Sequence, residues 1–449
     1  MTTMTLTDGT TVTLSPDQQQ AREAVLDALL TTRLPEATLA GAAGSGKTTL
    51  MRALIADLRA AGKHVVLLAP TGKAARRLSE VCGENASTIH KPLYAEVSSR
   101  IRATAKEKAA YEVLRKASAE AWAAFRAGDG SGDHPPILTA FGDWVRDQRA
   151  AKRQDVEEDL TFSDPRAMGT NNTVLVVDEA SMVGMRLAND LRGQLHGAQV
   201  LWVGDREQLP PVKDQWGCDW SRPVGLLTQV HRQAQGSPII KLATAIRTGA
   251  DWNRIDPVKP VYRDQCPPDR VAQWLAEQHT EDADSVCLTY TNKKRNLIND
   301  LTRAKLGYSQ ETLCVGERVL VTSNHYNTGL CNGEVKIVTD MRLRKGLLDV
   351  DVYELRLRGV TNDAGVERWI PYEPKALAAG QRPRARGCLS IDYGYCLSIH
   401  KSQGSQWHTV GIIHDGACWW LNRERPDEYR RLIYTAVTRA SDRLLVFDQ

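Results

Sequence analysis

Short, unbroken apolar runs recur along the N-terminal half of the chain, at Ala37 to Ala40, His64 to Ala69, Thr173 to Val177 and Ala198 to Val203. Unbroken runs, unlike alternating ones, suit strands buried on both faces, and helix-length stretches lie between them. The pattern predicts an α/β domain with a parallel sheet. The first three runs each end in a loop rich in Gly, Pro, Asp or Ser, and the fourth ends at Gly204-Asp205. Ligands of such sheets bind beyond the carboxyl ends of the strands, so all four loops are expected on one edge.

The pattern breaks between Tyr94 and Asn172. Ser98 to Ala127 reads as helix, with Arg100, Arg102, Lys106, Lys108, Arg115 and Lys116 on its polar positions. Gly128 to Pro136 has the composition of a loop, and Phe141 to Asp159 is charged and reads as helix. This is an insertion whose basic residues fit a solvated helix face as well as a functional one. A second α/β pattern starts near Pro238, with a strand at Val286 to Tyr290 followed by Thr291-Asn292. From about Glu311 to Ile391 short strands are expected instead, at Arg318 to Thr322, Glu334 to Thr339, Leu347 to Leu357 and Glu367 to Pro371. They predict a small all-β insertion, barrel-like in size. The α/β pattern resumes at Gly394 and ends in a strand at Arg443 to Phe447.

A chain of 449 residues exceeds one hydrophobic core and implies roughly two to four domains. It contains no apolar run of about 18 residues, so no membrane span is expected. Met1 to Thr13 is polar and lacks the regions of a signal peptide, which makes a cytoplasmic protein the expectation. The nine cysteines are scattered singly with no Cys-x-x-Cys pair, so they read as reduced packing residues rather than disulfides or zinc ligands. A net charge of +4 does not announce a nucleic-acid binder. Basic residues for such a partner would have to be gathered locally along a groove.

The first loop changes the picture. Gly41-Ala-Ala-Gly-Ser-Gly-Lys-Thr48 fits G-x-x-x-x-G-K-[ST] between an apolar run and a helix-favouring stretch, which is the context of a phosphate-binding loop. Its glycines let backbone N–H groups approach phosphates, and the helix N-terminus adds positive potential. Lys47 is expected at the β and γ phosphates of ATP and Thr48 on Mg²⁺. Asp178 ends the Thr173 to Val177 run, where a carboxylate can hold Mg²⁺ through its water shell. Glu179 is placed to polarise the attacking water. Gln208, in Val203 to Val212, is the candidate γ-phosphate sensor. Arg232 and Arg439 are the candidate guanidinium groups for the developing charge, although a lone arginine is usually a surface residue.

The ordered set of motifs resembles superfamily 1 helicases of the 5′-to-3′ branch, the RecD-like group, and especially the short phage Dda-type enzymes. The resemblance runs from Leu14 to Val446. Leu14-Ser-Pro-Asp-Gln18 looks like the Q motif, Ala69 to Ala75 like motif Ia, and Ser87-Thr-Ile-His90 like motif Ib. Asp178 to Ser181 is similar to motif II, Gly204 to Pro211 to motif III, and Gln229 to Gln233 to motif IV. Leu397-Ser-Ile-His-Lys-Ser-Gln-Gly404 is similar to motif V, with Ser398 where the group more often has Thr, and Tyr434 to Arg439 to motif VI.

The resemblance implies an α/β architecture of two RecA-like P-loop domains. Domain 1A would span 1–93 and 173–247, and domain 2A 248–311 and 394–449. A small 1B insertion would occupy 94–172, and an SH3-like β-barrel 2B insertion 312–393. It implies that Gln18 reads the adenine of ATP, within a nucleotide group of Gln18, Gly41, Gly44, Ser45, Gly46, Lys47, Thr48, Thr49 and Gly404. It implies strand contacts at Pro70, Thr71, Thr88 and His90 in the first domain and at Asn292, His400 and Ser402 in the second. Each of those residues alone also fits a capping or turn role. Phe162, in a turn before Asp178, is the expected aromatic pin for unwinding.

The implied protein is a monomeric motor acting on single-stranded DNA and duplex junctions in replication, recombination or repair, without a membrane. It carries no relaxase His cluster and no nuclease carboxylate signature. An RNA helicase stays open, because no residue declares a choice at the 2′-OH. So does a single-strand-binding protein switched by ATP without unwinding. A P-loop kinase does not carry this order of motifs.

Overall fold

The computed structural model describes residues 2–5, 11–94, 98–101, 109–118, 120, 158–161, 168–229, 237–252, 261–279, 284–325, 328–345, 351–361, 365–374, 377, 383 and 388–449. Arg232, Phe162 and the Gly128 to Pro136 loop lie outside the described residues.

Strands β1 (Glu36–Gly41), β2 (His64–Ala69), β3 (Ala86–Thr88), β4 (Thr173–Val177), β5 (Gln199–Gly204) and β6 (Gly225–Leu227) form one sheet in the order β6-β1-β5-β4-β2-β3. Every pairing is parallel. The four apolar runs of the sequence are its four central strands, and β4 and β5 are buried throughout. The edge strands β3 and β6 escaped the sequence reading because three residues each leave no pattern to see.

Helices α1 (Pro16–Leu26), α2 (Lys47–Ala60), α3 (Gly72–Cys82) and α4 (Met185–Arg192) accompany this sheet. Ser15 and Gln18 cap α1 reciprocally, and Pro16 opens it. On α2, Leu50, Leu54 and Leu58 fall on one face at a spacing of four and are wholly buried. Each such burial stabilises the fold by about 1.5–3 kcal/mol. Between α3 and β4 the expected helix does not begin at Ser98. Ser98–Ile101 pairs antiparallel with Glu158–Thr161, so the helical reading of Phe141 to Asp159 also fails at its end. Two serines and a β-branched residue are poor helix formers and take a strand partner readily.

The second half begins with α5 (Pro238–Arg247), β7 (Val261–Gln265), α6 (Pro268–Glu277), β8 (Ser285–Thr289) and α7 (Asn292–Lys305). Then come β9 (Arg318–Val321), β10 (Val335–Lys345), β11 (Asp351–Leu357), β12 (Ile370–Tyr372) and β13 (Ile391–Tyr393). The chain closes with β14 (Cys396–Ser398), β15 (Trp407–His414), α8 (Gly416–Glu424), α9 (Pro426–Val437) and β16 (Ala440–Asp448). A second parallel sheet has the order β7-β16-β15-β8-β14. The intervening strands form an antiparallel sheet, β12-β11-β10-β9-β13, around Val319, Val338, Leu355, Leu357 and Ile370. Its strands sit close to those expected, with β13 added at the end.

The antiparallel sheet is tied at its root to the second parallel sheet, where Arg318 Nη2 donates to Ser285 O at 2.9 Å. It also touches α3 of the first half. Arg76 pairs with Glu334 at 2.9 Å and donates to Gly329 O at 3.0 Å.

Candidate nucleotide site at the joint of the two parallel sheets

The phosphate-binding loop leaves β1 at Gly41 and enters α2 at Lys47. Gly44 and Gly46 hold left-handed conformations, φ 76° and 75°, that a side chain would strain. A Cβ on Gly41 would meet Ser45 Oγ at 2.6 Å and Lys47 Cγ at 2.9 Å, so the close turn needs glycine there as well. Ser45 ties the loop internally through Oγ to Ala42 O at 2.8 Å. Lys47 Nζ donates to Gly41 O at 2.7 Å and Ala42 O at 3.0 Å, which keeps its ammonium at the mouth of the loop. Thr48 and Thr49 follow on the first turn of α2, half-buried.

Gln18 has a different setting from the one its motif implied. It is 1% exposed and its Nε2 donates to Ser45 O and Gly46 O, both at 3.3 Å. Its Oε1 accepts from Ser15 N at 2.9 Å. The amide thus braces the phosphate loop from behind, and adenine reading would require it to release these partners.

Asp178 and Glu179 stand at the carboxyl end of β4. Asp178 N donates to Leu68 O at 2.9 Å, which fixes the strand end. Burial and the adjacent Glu179 charge push the Asp178 carboxyl up to about 6, against the pull of Lys47 and Arg77. Glu179 has φ 50°, a left-handed conformation that costs a non-glycine residue about 1–3 kcal/mol and occurs mainly at functional sites.

Beyond β5, Asp205 is 1% exposed and Gln208 4%. Gln208 Oε1 is buried without a hydrogen-bond partner. Such an orphan acceptor is costly unless something else satisfies it. With the glycine cradle it makes the residues present a good fit to a nucleoside triphosphate and its attacking water.

The second sheet closes the site through α9. Tyr434 Oη donates to Asp205 Oδ2 at 2.6 Å and accepts from Ala43 N at 3.0 Å. Leu209 N donates to Thr435 Oγ1 at 3.0 Å, and Gln403 Nε2 donates to Leu209 O at 3.1 Å. Arg431 reaches Arg206 O and lies over the Trp216 ring at 4.8 Å. Arg439 is 4% exposed; Nε donates to Thr435 O at 3.0 Å, Nη1 to Ser405 O at 3.1 Å and Nη2 to Thr438 Oγ1 at 3.0 Å. Burial lowers its affinity for its proton, and the Glu179 charge opposes that shift.

The sequence reading therefore brought together Lys47, Asp178, Glu179, Gln208 and Arg439, which the fold gathers at one joint. It overlooked Tyr434, Asp205 and Arg431. Tyr434 and Asp205 lay inside quoted motifs, but nothing in the sequence says that a phenol and a carboxylate 229 positions apart will meet. Gly404, expected in the nucleotide group, instead faces α3: a Cβ there would lie 3.5 Å from Thr71 Oγ1 and 3.6 Å from Ala74 Cβ.

The expected strand contacts divide. Thr71 caps α3 by accepting from Ala74 N at 3.2 Å, with Pro70 just before it, so the helix N-terminus is presented beside the Gly404 loop. Lys73, one step further, lies 4.8 Å over the Trp407 ring of the second half. His90 and Asn292 are exposed, and His400 is half-buried beside Tyr290 at a ring distance of 6.4 Å. Burial lowers His400 below the ordinary histidine range, leaving it neutral at pH 7. Two residues need correction. Ser402 is fully buried and its hydroxyl donates to Ile399 O at 2.7 Å, while Thr88 Oγ1 is buried without a partner. Both hydroxyls face inward because their turns pack against the sheets.

Comparison with known proteins agrees with this geometry. Residues 13–259 match the AAA domain family and residues 393–447 the UvrD-like helicase C-terminal domain. The ATP-dependent RecD2 DNA helicase of Deinococcus radiodurans is 27% identical over 445 residues, covering 94% of this chain and 48% of that protein. The ATP-dependent DNA helicase dda of Enterobacteria phage T4 is 24% identical, covering 74% of this chain and 67% of that protein. A crystal structure of the Pif1 helicase from Candida albicans is 19% identical with a TM-score of 0.47, covering 97% of this chain and 94% of that one. The chain belongs to the AAA domain family and, with these relatives, to the RecD-like superfamily 1B helicases. It spans about half the length of the RecD2 relative. Among the described residues no helix is long and apolar enough to cross a membrane.

Proposed function

We propose that this chain is an ATP-driven motor that moves 5′-to-3′ along single-stranded DNA and separates duplex at the junction. The observation that carries the reading is the joint itself. The phosphate loop and the Asp205–Leu209 segment are hydrogen-bonded to α9 of the other half, which also bears Arg439 close to its end. A group bound between the halves can therefore bias their separation, and a cycle of closing and reopening can ratchet a strand.

In this reading Lys47 and the loop N–H groups hold the phosphates, and Thr48 and Asp178 hold Mg²⁺. The metal supplies charge neutralisation at the phosphates. Glu179 orients the water, Gln208 senses the γ-phosphate, and Arg439, with Arg232, stabilises the developing charge. The strand lies along Pro70-Thr71, His90, Asn292 and His400, its phosphates met by helix N-termini. Domains 1A, 1B, 2A and the SH3-like 2B keep the boundaries expected from the sequence, and the motor acts as a monomer.

Phe162 is the proposed pin. Phe162→Ala should abolish unwinding while sparing DNA-stimulated ATP hydrolysis; equal loss of both removes it from that role. The central test compares ATP hydrolysis with DNA and with RNA, and unwinding of duplexes bearing 5′ or 3′ single-stranded tails. Lys47→Ala should hydrolyse no ATP. Full activity of that variant, or unwinding from 3′ tails alone, would overturn the reading. Stronger stimulation by RNA would favour an RNA helicase, and background turnover with saturating DNA would favour an ATP-switched binding protein.

A further inference from the structure

We infer that Tyr434 is a positioning residue through which the second half of the molecule sets the sensor loop and the phosphate loop together. The inference rests on the reading of the joint as an ATP-hydrolysing site.

The roles at the Tyr434 hydroxyl are fixed by its partners. Ala43 offers an N–H and can only donate, at 3.0 Å. The Asp205 carboxylate can only accept, at 2.6 Å, so the phenolic proton goes to Asp205. The ring is 2% exposed and its carrier helix α9 is buried from Leu432 to Val437. Burial and the Asp205 charge keep the phenol protonated, which the bond requires.

Asp205 is in turn the cornerstone of the loop that follows β5. Its Oδ1 accepts from Glu207 N at 3.0 Å, and its backbone carbonyl accepts from Gln208 N at 3.2 Å. Gln208 Oε1 has no partner of its own, so the backbone turn decides where that amide points. Thr435 and Gln403 hold Leu209 at the far end of the loop, but neither has a hydrogen bond to the phosphate loop among the described residues. Tyr434 bonds both loops through one oxygen. A shift of α9 relative to the first sheet must therefore release or seat both loops at once. Such coupling acts on the hydrolytic step rather than on nucleotide affinity, because the Lys47 end of the loop does not depend on Tyr434.

The test is Tyr434→Phe in the full chain, which keeps the ring and removes the hydroxyl. DNA-stimulated kcat should fall by about tenfold or more while KM for ATP stays within about threefold. Affinity for a fluorescent ATP analogue and the thermal midpoint should stay close to the parent. Asp205→Asn should give a similar split, and the double variant should be no slower than the slower single variant, as for two residues acting through one bond. A kcat within twofold of the parent, a matching loss in KM, or multiplicative losses in the double variant would overturn the inference. A parent protein without ATPase activity would instead overturn the reading of the site. An active parent beside an equally active Tyr434→Phe overturns the inference alone.

Discussion

Arg303 and Glu317 form an ion pair whose side chains are 1% and 0% exposed, with Nε 2.5 Å from Oε1. Arg303 lies near the end of α7 and Glu317 immediately precedes β9, so the pair fastens the antiparallel insertion to the second parallel sheet. The surplus hydrogen-bonding capacity is used: Arg303 Nη2 reaches Thr312 O at 2.8 Å, Glu317 Oε2 accepts from Cys314 N at 2.7 Å, and the guanidinium lies 3.9 Å over the Tyr393 ring. Removing one partner strands the other charge in a dry site, so Glu317→Ala should destabilise the protein by about 3–5 kcal/mol. Replacing both with apolar residues, Arg303→Met with Glu317→Leu, should cost much less. Urea denaturation checks both, and a Glu317→Ala loss under about 1 kcal/mol would show that water reaches the pair.

That pair also marks where sequence reading stops. The central strands of the first sheet were legible because burial on both faces writes an unbroken apolar run, as at Thr173 to Val177. The phosphate loop was legible because Gly44 and Gly46 need left-handed backbone and Lys47 a fixed offset from them. The β-rich insertion announced itself by short strands between turns. What stayed hidden depends on contacts between distant positions. Arg303 with Glu317, Tyr434 with Asp205, and Arg76 with Glu334 each join residues whose local patterns say nothing of one another. The turn of Gln18 toward the loop was partly visible, since Ser15-x-x-Gln18 before an apolar run is a capping-box signature. The strand at Ser98–Ile101 was lost in a run of charged residues that suits a helix equally well.

Arg439 gives the second prediction. Its three guanidinium hydrogen bonds go to Thr435, Ser405 and Thr438, all within its own half, and they aim the group at the cleft where the Glu179 charge acts on it. A lysine keeps the charge but cannot make the planar fork. Under the proposed mechanism Arg439→Lys should lower kcat for ATP by about a thousandfold, at the low end of what such arginines contribute, with a smaller change in KM. Steady-state hydrolysis with saturating DNA checks it. A drop in thermal midpoint without a selective loss of kcat would make Arg439 a structural residue of the Ser405 loop.

The third prediction concerns acid stability. His414 is fully buried at the end of β15, with Nδ1 3.0 Å from Asp448 Oδ1 and Nε2 2.8 Å from Tyr429 Oη. The Asp448 carboxylate can only accept, so Nδ1 carries the proton and Nε2 accepts from the tyrosine, a fully satisfied neutral ring. Trp419 packs edge-on at 4.6 Å. Asp448 and Asp415 favour protonation, while burial, the largest influence, and the nearby Arg263 oppose it, so His414 titrates below the ordinary value of 6.5. The unfolded chain therefore binds this proton more readily than the folded one. The contribution to stability is complete above about pH 6.5 and declines as pH falls below it, by at most about 1.4 kcal/mol per pH unit. His90, His279 and His400 are shifted the same way, so the diagnostic quantity is the difference between two profiles. Urea unfolding at pH 7.5 and 5.5 should show a shallower decline for His414→Gln than for the parent. Parallel profiles would mean that the folded protein accommodates the charged ring, with Asp448 prevailing over burial.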